Sequence, residues 1–145
     1  DIRFVALRLF TVYGPRQRPD LAIHKFAKRI QQGLPITMYG DGSTLRDYTN
    51  VADIVRGITG ALEYTGSNYE IMNLGNNSPV KLHELIAGIE TALGKKAIIE
   101  QLPEQPGDVR VTFADIRKAA ELIGYAPQVK LQDGLNEFCA WLNQQ

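Results

Sequence analysis

Two arginine-bearing stretches carry the chemistry that can be read from this chain. In YGDGSTLRDYTNVADI, Tyr39 to Ile54, Arg46 and Asp47 sit inside a run that reads as extended. Strand interiors rarely take a charged pair. Either the pair lies on a sheet edge facing water, or the arginine is held for an anionic ligand. A guanidinium is planar, stays protonated and offers donors in pairs that match phosphate oxygens. Charge-assisted hydrogen bonds contribute about 1.5–3 kcal/mol each, so two could hold a diphosphate with no help from net charge. Asp47, Tyr48 and Asp53 are the candidates to orient the fork, and Asp53 equally suits the first turn of a following helix.

The second stretch is TVYGPRQRP, Thr11 to Pro19. It follows an apolar run, and ligands of open α/β sheets bind just past the carboxyl ends of strands. The hydroxyl of Thr11, the phenol of Tyr13 and the cations of Arg16 and Arg18 on a rigid loop suit a polyhydroxylated anion. The same residues also make a plain surface connection. In PGD, Pro106 to Asp108, Gly107 permits a tight turn and Asp108 can accept hydrogen bonds from sugar hydroxyls, or form a turn and nothing more. His24 and His83 have no partner at ligand spacing, so no metal site is expected. Cys139 borders an apolar stripe and reads as core, not nucleophile. No Ser-His-Asp logic and no G-x-G-x-x-G segment is found.

The 145 residues suffice for one domain with a buried core. Lys and Arg together number 16, as do Asp and Glu. No global field therefore recruits nucleic acid or an acidic membrane, and an anion has to be met by a local cluster. No apolar run approaches a membrane span, and the start has no signal-peptide pattern. The lone cysteine excludes an internal disulfide and suits a reducing cytoplasm, the expected location. The chain opens at Asp1, without methionine, and runs at once into IRFVALRLF, which reads as a piece of something larger.

The elements that position these residues follow from periodicity. Arg3 to Leu9 reads as a strand apolar enough to be covered on both faces. Asp20 can cap a helix bearing Ile23, Phe26, Ala27 and Ile30 on one face, closed by Gly33. ITMY is extended, GDGS supplies a hairpin-like turn, and Leu45 to Thr49 returns as a strand. A helix from Val51 runs to about Tyr64, and Glu70 to Leu74 is a short buried strand. GNNSP is a loop, and a helix carries Leu82, Leu85, Ile86, Ile89 and Leu93. Ala97 to Gln101 is extended, and Asp115 caps a short helix ending near Gly124. Leu131, Leu135, Phe138 and Leu142 mark the last helix. Interleaved strands and helices argue an α/β class, here a small mixed layered domain and not a complete doubly wound sheet.

Taken together, LRLFTVYGPRQRP, GLPITMYGDGSTLRDYTNVADIV, NLGNNSPVKLHELI and QPGDVRVTFADIRKA resemble the C-terminal part of the extended short-chain dehydrogenase/reductases. The likeness is greatest to their nucleotide-sugar 4-epimerases acting on UDP-glucuronate or UDP-glucose, and it runs from about Phe4 to Leu142. It implies a two-part enzyme. An N-terminal Rossmann domain holds NAD and a Tyr-x-x-x-Lys catalytic pair, both expected upstream of Asp1, so no catalytic residue is assigned here. Residues 1–145 would be the substrate-binding domain, with 1–12 contributing one strand of the truncated Rossmann sheet. The sugar is oxidised at C4 to a 4-keto intermediate, and the hydride returns to its other face. The resemblance assigns Thr37, Met38 and Tyr39 to the uracil, Arg46 to the diphosphate, Thr11 and Arg18 to the hexose or its carboxylate, and Asp108 to the ribose side. Phe10 and Val12 would pass near the nicotinamide.

Departures from the pattern refine this. Gln105 stands where galactose-type epimerases carry a second diphosphate arginine, which points to the glucuronate-like group, and Asn50 and Ala52 also depart. Without the upstream motifs the chain alone is expected to be inactive. Its partners would be a UDP-sugar, the Rossmann half and further copies of itself, paired through the strand at 3–9. The alternatives are a decarboxylase or 4,6-dehydratase of the same family, a non-catalytic nucleotide-sugar binding module, or a purely structural interaction domain.

Overall fold

The structure, a computed structural model, describes residues 2–145; Asp1 lies outside them. Among the described residues twelve elements follow one another: β1 (Phe4–Leu9), β2 (Thr11–Tyr13), α1 (Ala22–Gln31), β3 (Ile36–Tyr39), β4 (Leu45–Asn50), α2 (Val51–Glu63), β5 (Tyr69–Leu74), β6 (Pro79–Lys81), α3 (Leu82–Leu93), β7 (Ile99–Leu102), α4 (Arg117–Ile123) and α5 (Leu131–Leu142). The class is mixed α/β, as the interleaving predicts.

Three small sheets organise the strands. β1 pairs in parallel with β5, β2 and β6 flank β4, and β3 pairs in parallel with β7. The first strand, read as one strand of a truncated sheet, thus has one neighbour among the described residues, with Phe4 stacked on Tyr69 at 5.8 Å between ring centres. Val5 and Leu7 pack inward, but Phe4 is half exposed, so β1 is covered on one face and not on two.

The main core lies among α1, α3, α5 and the β3 and β4 strands, around Tyr13, Ile23, Ile30, Ile36, Leu85, Ile89, Leu135 and Phe138. The helical members are the periodic positions of the sequence, so burial of each apolar stripe drives the packing. Tyr13, read as a loop residue offering its phenol to a ligand, is instead buried in this core. A second, smaller core joins β1, β5, α2 and α4 through Ile54, Met72, Leu74, Ala119 and Tyr125.

Several local expectations change. The turn after Tyr39 does not close a hairpin: β3 and β4 belong to different sheets. Gly40 and Gly42 do take positive φ, 70° and 77°, as a tight turn requires. The turn's hydrogen bonds go elsewhere, however: Gly42 C=O accepts from the His83 N–H and Thr44 C=O from the Leu82 N–H. The start of α3 thereby holds the turn and steers β4 away from β3. Asp20 does not cap α1, whose N-cap is Leu21. Asp115 stands one residue before the N-cap position Ile116, from where its carboxylate accepts from the Arg117 backbone N–H at 3.1 Å and pairs with the Arg117 guanidinium. Thr11–Tyr13, read as part of a loop, is a short strand, and another, Pro79–Lys81, begins at the last residue of the GNNSP loop; the two lie on either side of β4.

Candidate functional site

β4 settles the charged pair. It is the middle strand of its sheet, so the edge reading of Arg46–Asp47 is overturned. Successive side chains on a strand face opposite ways, and the two charges part accordingly. Asp47 is fully buried and accepts hydrogen bonds from the backbone N–H of Asn76, Asn77 and Ala114 at 2.7, 3.0 and 3.1 Å, and from the Thr49 hydroxyl at 3.2 Å. A carboxylate given this many donors needs no cation. Asp53, also buried, accepts from the N–H of Gln128 and Val129 and pairs with Arg56. Neither acid orients the Arg46 fork.

Arg46 instead donates to the Asp108 carboxylate at 2.5 Å and to its neighbour's Leu45 carbonyl at 3.0 Å. The segment carrying Asp108 is docked on β4 from the far side. Leu45 N–H donates to Arg110 C=O at 2.8 Å, Thr112 N–H to Leu45 C=O at 3.0 Å, and Asp47 N–H to the Thr112 hydroxyl at 3.1 Å.

Around this pair lies a cleft of roughly 310 Å³ whose walls include Lys25, Thr37, Tyr39, Arg46, Tyr48 and Asp108. Four of the residues singled out from the sequence, Thr37, Tyr39, Arg46 and Asp108, are therefore brought together. Met38, between two of them, turns into the core, as strand alternation requires. Thr11 and Arg18 are not on the walls, although Arg18 pairs at 3.2 Å with Asp20, which is. Burial pushes the Tyr48 phenol above its ordinary value, with Arg46 pulling the other way, so this group enters the cleft as a neutral hydroxyl.

The profile of the NAD dependent epimerase/dehydratase family matches residues 1–75. The chain belongs to that family. It is 42% identical over 136 residues to the UDP-glucuronate 4-epimerase of Thermodesulfobacterium geofontis, covering 93% of this chain and 42% of that protein. Among solved structures it is similar to the UDP-glucuronic acid 4-epimerase of Bacillus cereus in complex with UDP-glucuronic acid and NAD. That match has a TM-score of 0.89 and 42% identity over 97% of this chain and 45% of the other. It is also similar to MoeE5 in complex with UDP-glucuronic acid and NAD, with a TM-score of 0.92 and 34% identity over 98% of this chain and 48% of the other. The chain spans somewhat under half the length of each.

For the dinucleotide itself, this family member offers neither a G-x-G-x-x-G segment nor a Tyr-x-x-x-Lys pair. A hollow of about 430 Å³ beside β1 and α2 is lined by Arg3, Val5, Leu7, Ile58, Ala61, Leu62 and Tyr64. That wall has no convergent donors for a pyrophosphate. Phe10 and Val12, expected near the nicotinamide, are half-buried; Phe10 N–H donates to Leu74 C=O at 3.2 Å and Val12 packs on the smaller core. The residues present do not by themselves make an NAD site. Among the described residues no helix is long and apolar enough to cross a membrane.

Sequence reasoning missed Lys25 and the part played by Asp47. Lys25 lies on the wall because Ala22, Lys25 and Phe26 share a face of α1. Its three-residue spacing from Ala22 on a helix was legible, but which strand α1 would face was not. Cys139 is buried and its thiol is pushed up to about 11 by burial, in keeping with a core residue.

Proposed function

We propose that this chain forms the nucleotide-sugar half of an NAD-dependent epimerase that inverts C4 of a UDP-sugar, UDP-glucuronate or UDP-glucose, through a 4-keto intermediate. One observation carries the reading: a guanidinium and a carboxylate, Arg46 and Asp108, share a cleft with the polar edge of β3 at Thr37 and Tyr39. The chemistry needed there is recognition. The Arg46 fork suits the diphosphate, Asp108 the ribose hydroxyls, and the Thr37–Tyr39 segment, with Met38 contributing backbone alone, the base. Thr11 and Arg18 would meet the hexose or its carboxylate from the neighbouring loop. Held by its nucleotide, the sugar is presented to a reacting centre built by other residues; binding energy far from the reacting bond fixes its orientation.

NAD supplies hydride acceptance and return when bound. In this reading it belongs to a Rossmann portion of the protein outside this chain, so the chain alone turns nothing over. That portion would seat on the uncovered apolar face of β1 and α2. Left without it, the same face would bring copies of the chain together. That the two similar structures are complexes with UDP-glucuronic acid and NAD supports both parts of the reading.

Isothermal titration of the chain with UDP-glucuronate and UDP-glucose tests the site. Binding is expected for wild type and a loss of about tenfold or more for Arg46→Ala, the worth of a charge-assisted pair. UDP-sugars bound equally well by both proteins would remove Arg46 from the site.

A further inference from the structure

Two acids and two bases line the cleft: Asp20 and Asp108, Lys25 and Arg46. Its formal charge is therefore zero, a poor match for a diphosphate. Two of the four charges are also committed within the cleft, since Arg46 is bound to Asp108 at 2.5 Å. A third, Asp20, faces Arg18 at 3.2 Å. Lys25 is the exception. Among the described residues it makes no ion pair. Arg110 lies close by, but it lines the adjoining hollow, not the cleft, and faces Glu104 at 3.6 Å.

The backbone under Lys25 is fixed. Its helix is anchored through Ile23, Phe26, Ala27 and Ile30 in the main core, while Lys25 itself is exposed. An ammonium on a flexible four-carbon stem is a movable point charge, able to follow whichever oxygen a ligand presents. A phosphate entering the cleft must share Arg46 with Asp108, whereas Lys25 is available at once. A single phosphate can be met by Arg46 alone. A second phosphate adds charge that only an additional cation can balance.

We infer that Lys25 supplies the second cation of a diphosphate subsite, from the α1 wall of the cleft, and so sets a preference for nucleoside diphosphates over monophosphates. This rests on the reading of the cleft as a nucleotide-sugar site. Both phosphates then find a positive partner without a second arginine.

The test compares UDP with UMP by isothermal titration on the wild-type chain, Lys25→Met and Lys25→Arg. Because the position is exposed, thermal melts of all three should coincide. Lys25→Met is expected to lose about tenfold or more for UDP and under about threefold for UMP, with Lys25→Arg recovering most of the UDP loss. If wild type binds UDP but Lys25→Met weakens UDP and UMP equally, or neither, the inference fails while the nucleotide site stands. If wild type binds no UDP at all, the site reading falls and the inference falls with it.

Discussion

Arg46 and Asp108 lie 62 positions apart in the chain and meet at 2.5 Å, tying the middle strand of a sheet to an exposed loop. The guanidinium side is 22% exposed and the carboxylate 46%. A pair this wet contributes little to stability, about 0–1 kcal/mol. It does hold the fork in place and occupied until a stronger anion arrives. Asp108→Asn should therefore leave the urea midpoint almost unmoved while releasing Arg46. Inorganic pyrophosphate, which has no ribose for Asp108 to lose, should bind the variant more tightly. Weaker pyrophosphate binding in the variant would mean that Asp108 supports Arg46 and does not compete for it.

Asp47 is the opposite case, a carboxylate that acts by being sealed in. Its three backbone partners come from two separate segments, 76–77 and 114. Asp47→Ala leaves those N–H groups without an acceptor. That of Ala114 is buried, where an unmet group costs about 1–3 kcal/mol, while those of Asn76 and Asn77 are part-buried and cost less, and the lost carboxylate leaves a void besides. A total loss of about 3 kcal/mol or more is expected in urea denaturation followed by circular dichroism, with Asp47→Asn intermediate. A loss below about 1 kcal/mol would show that water replaces the carboxylate and that the node is not needed.

The same node explains a glycine. A Cβ built on Gly75 would lie 2.2 Å from the Ala114 Cβ and 3.4 Å from the Asp47 carboxylate oxygens. Gly75→Ala should cost about 1–3 kcal/mol by overpacking. Adding Ala114→Gly should return part of that loss, so the double variant is more stable than the sum of the singles. Strict additivity in the cycle would place the strain somewhere other than this contact.

What the sequence makes legible is local. Stripes such as Ile23–Phe26–Ala27–Ile30 announce a helix and its buried face, because a helix repeats within a few residues. Arg46 stood out because a cation inside a strand is unusual. Partner choice was not legible. β2 and β6 are three residues each, too short to show alternation, and exist because β4 lies between them. The apparent hairpin failed for a related reason: its turn is held by His83 and Leu82, some 40 residues on. Asp47 carries no mark of burial in its neighbours, since its hydrogen-bond partners come from segments distant in the chain. Lys25 could be assigned to a helix face, but which wall that face would complete depended on the fold.

Alkaline pH should weaken this fold. Burial raises the phenols of Tyr13, Tyr48 and Tyr125 above 10.0 and carries the Cys139 thiol from 9.0 to about 11. Each group keeps its proton in the folded chain at a pH where the unfolded chain has released it. The unfolded state then binds fewer protons, so stability falls as pH rises. The fall begins near pH 9, where an unfolded cysteine ionises, and continues through about 11 for Cys139. Urea midpoints measured from pH 8 upward should decline over that window, and Cys139→Ala should flatten the first part of the decline. A level profile would mean that these groups are more hydrated than their burial implies.

α2 is apolar on two faces and covered on one. Ile54, Gly57 and Ala61 are buried, with Gly57 tight against Leu74 and Tyr125. Val51, Val55, Ile58 and Leu62, at helical spacing on another face, are exposed, Leu62 to 81% and Val55 to 54%. Beside them is the hollow walled by Val5 and Leu7 of β1, a strand with one sheet neighbour among the described residues. Contiguous apolar surface next to an unpaired strand edge favours association. Sedimentation velocity on the isolated chain should accordingly show assembly that grows from low micromolar to submillimolar concentration. Val55→Lys combined with Leu62→Lys places two charges on the stripe without touching either core, so it should restore the monomer and leave the melting temperature unchanged. Wild type sedimenting as a monomer throughout would defeat the idea. Assembly that survives both lysines would move the contact to the β1 edge, where a proline at Ala6 is the next variant to measure.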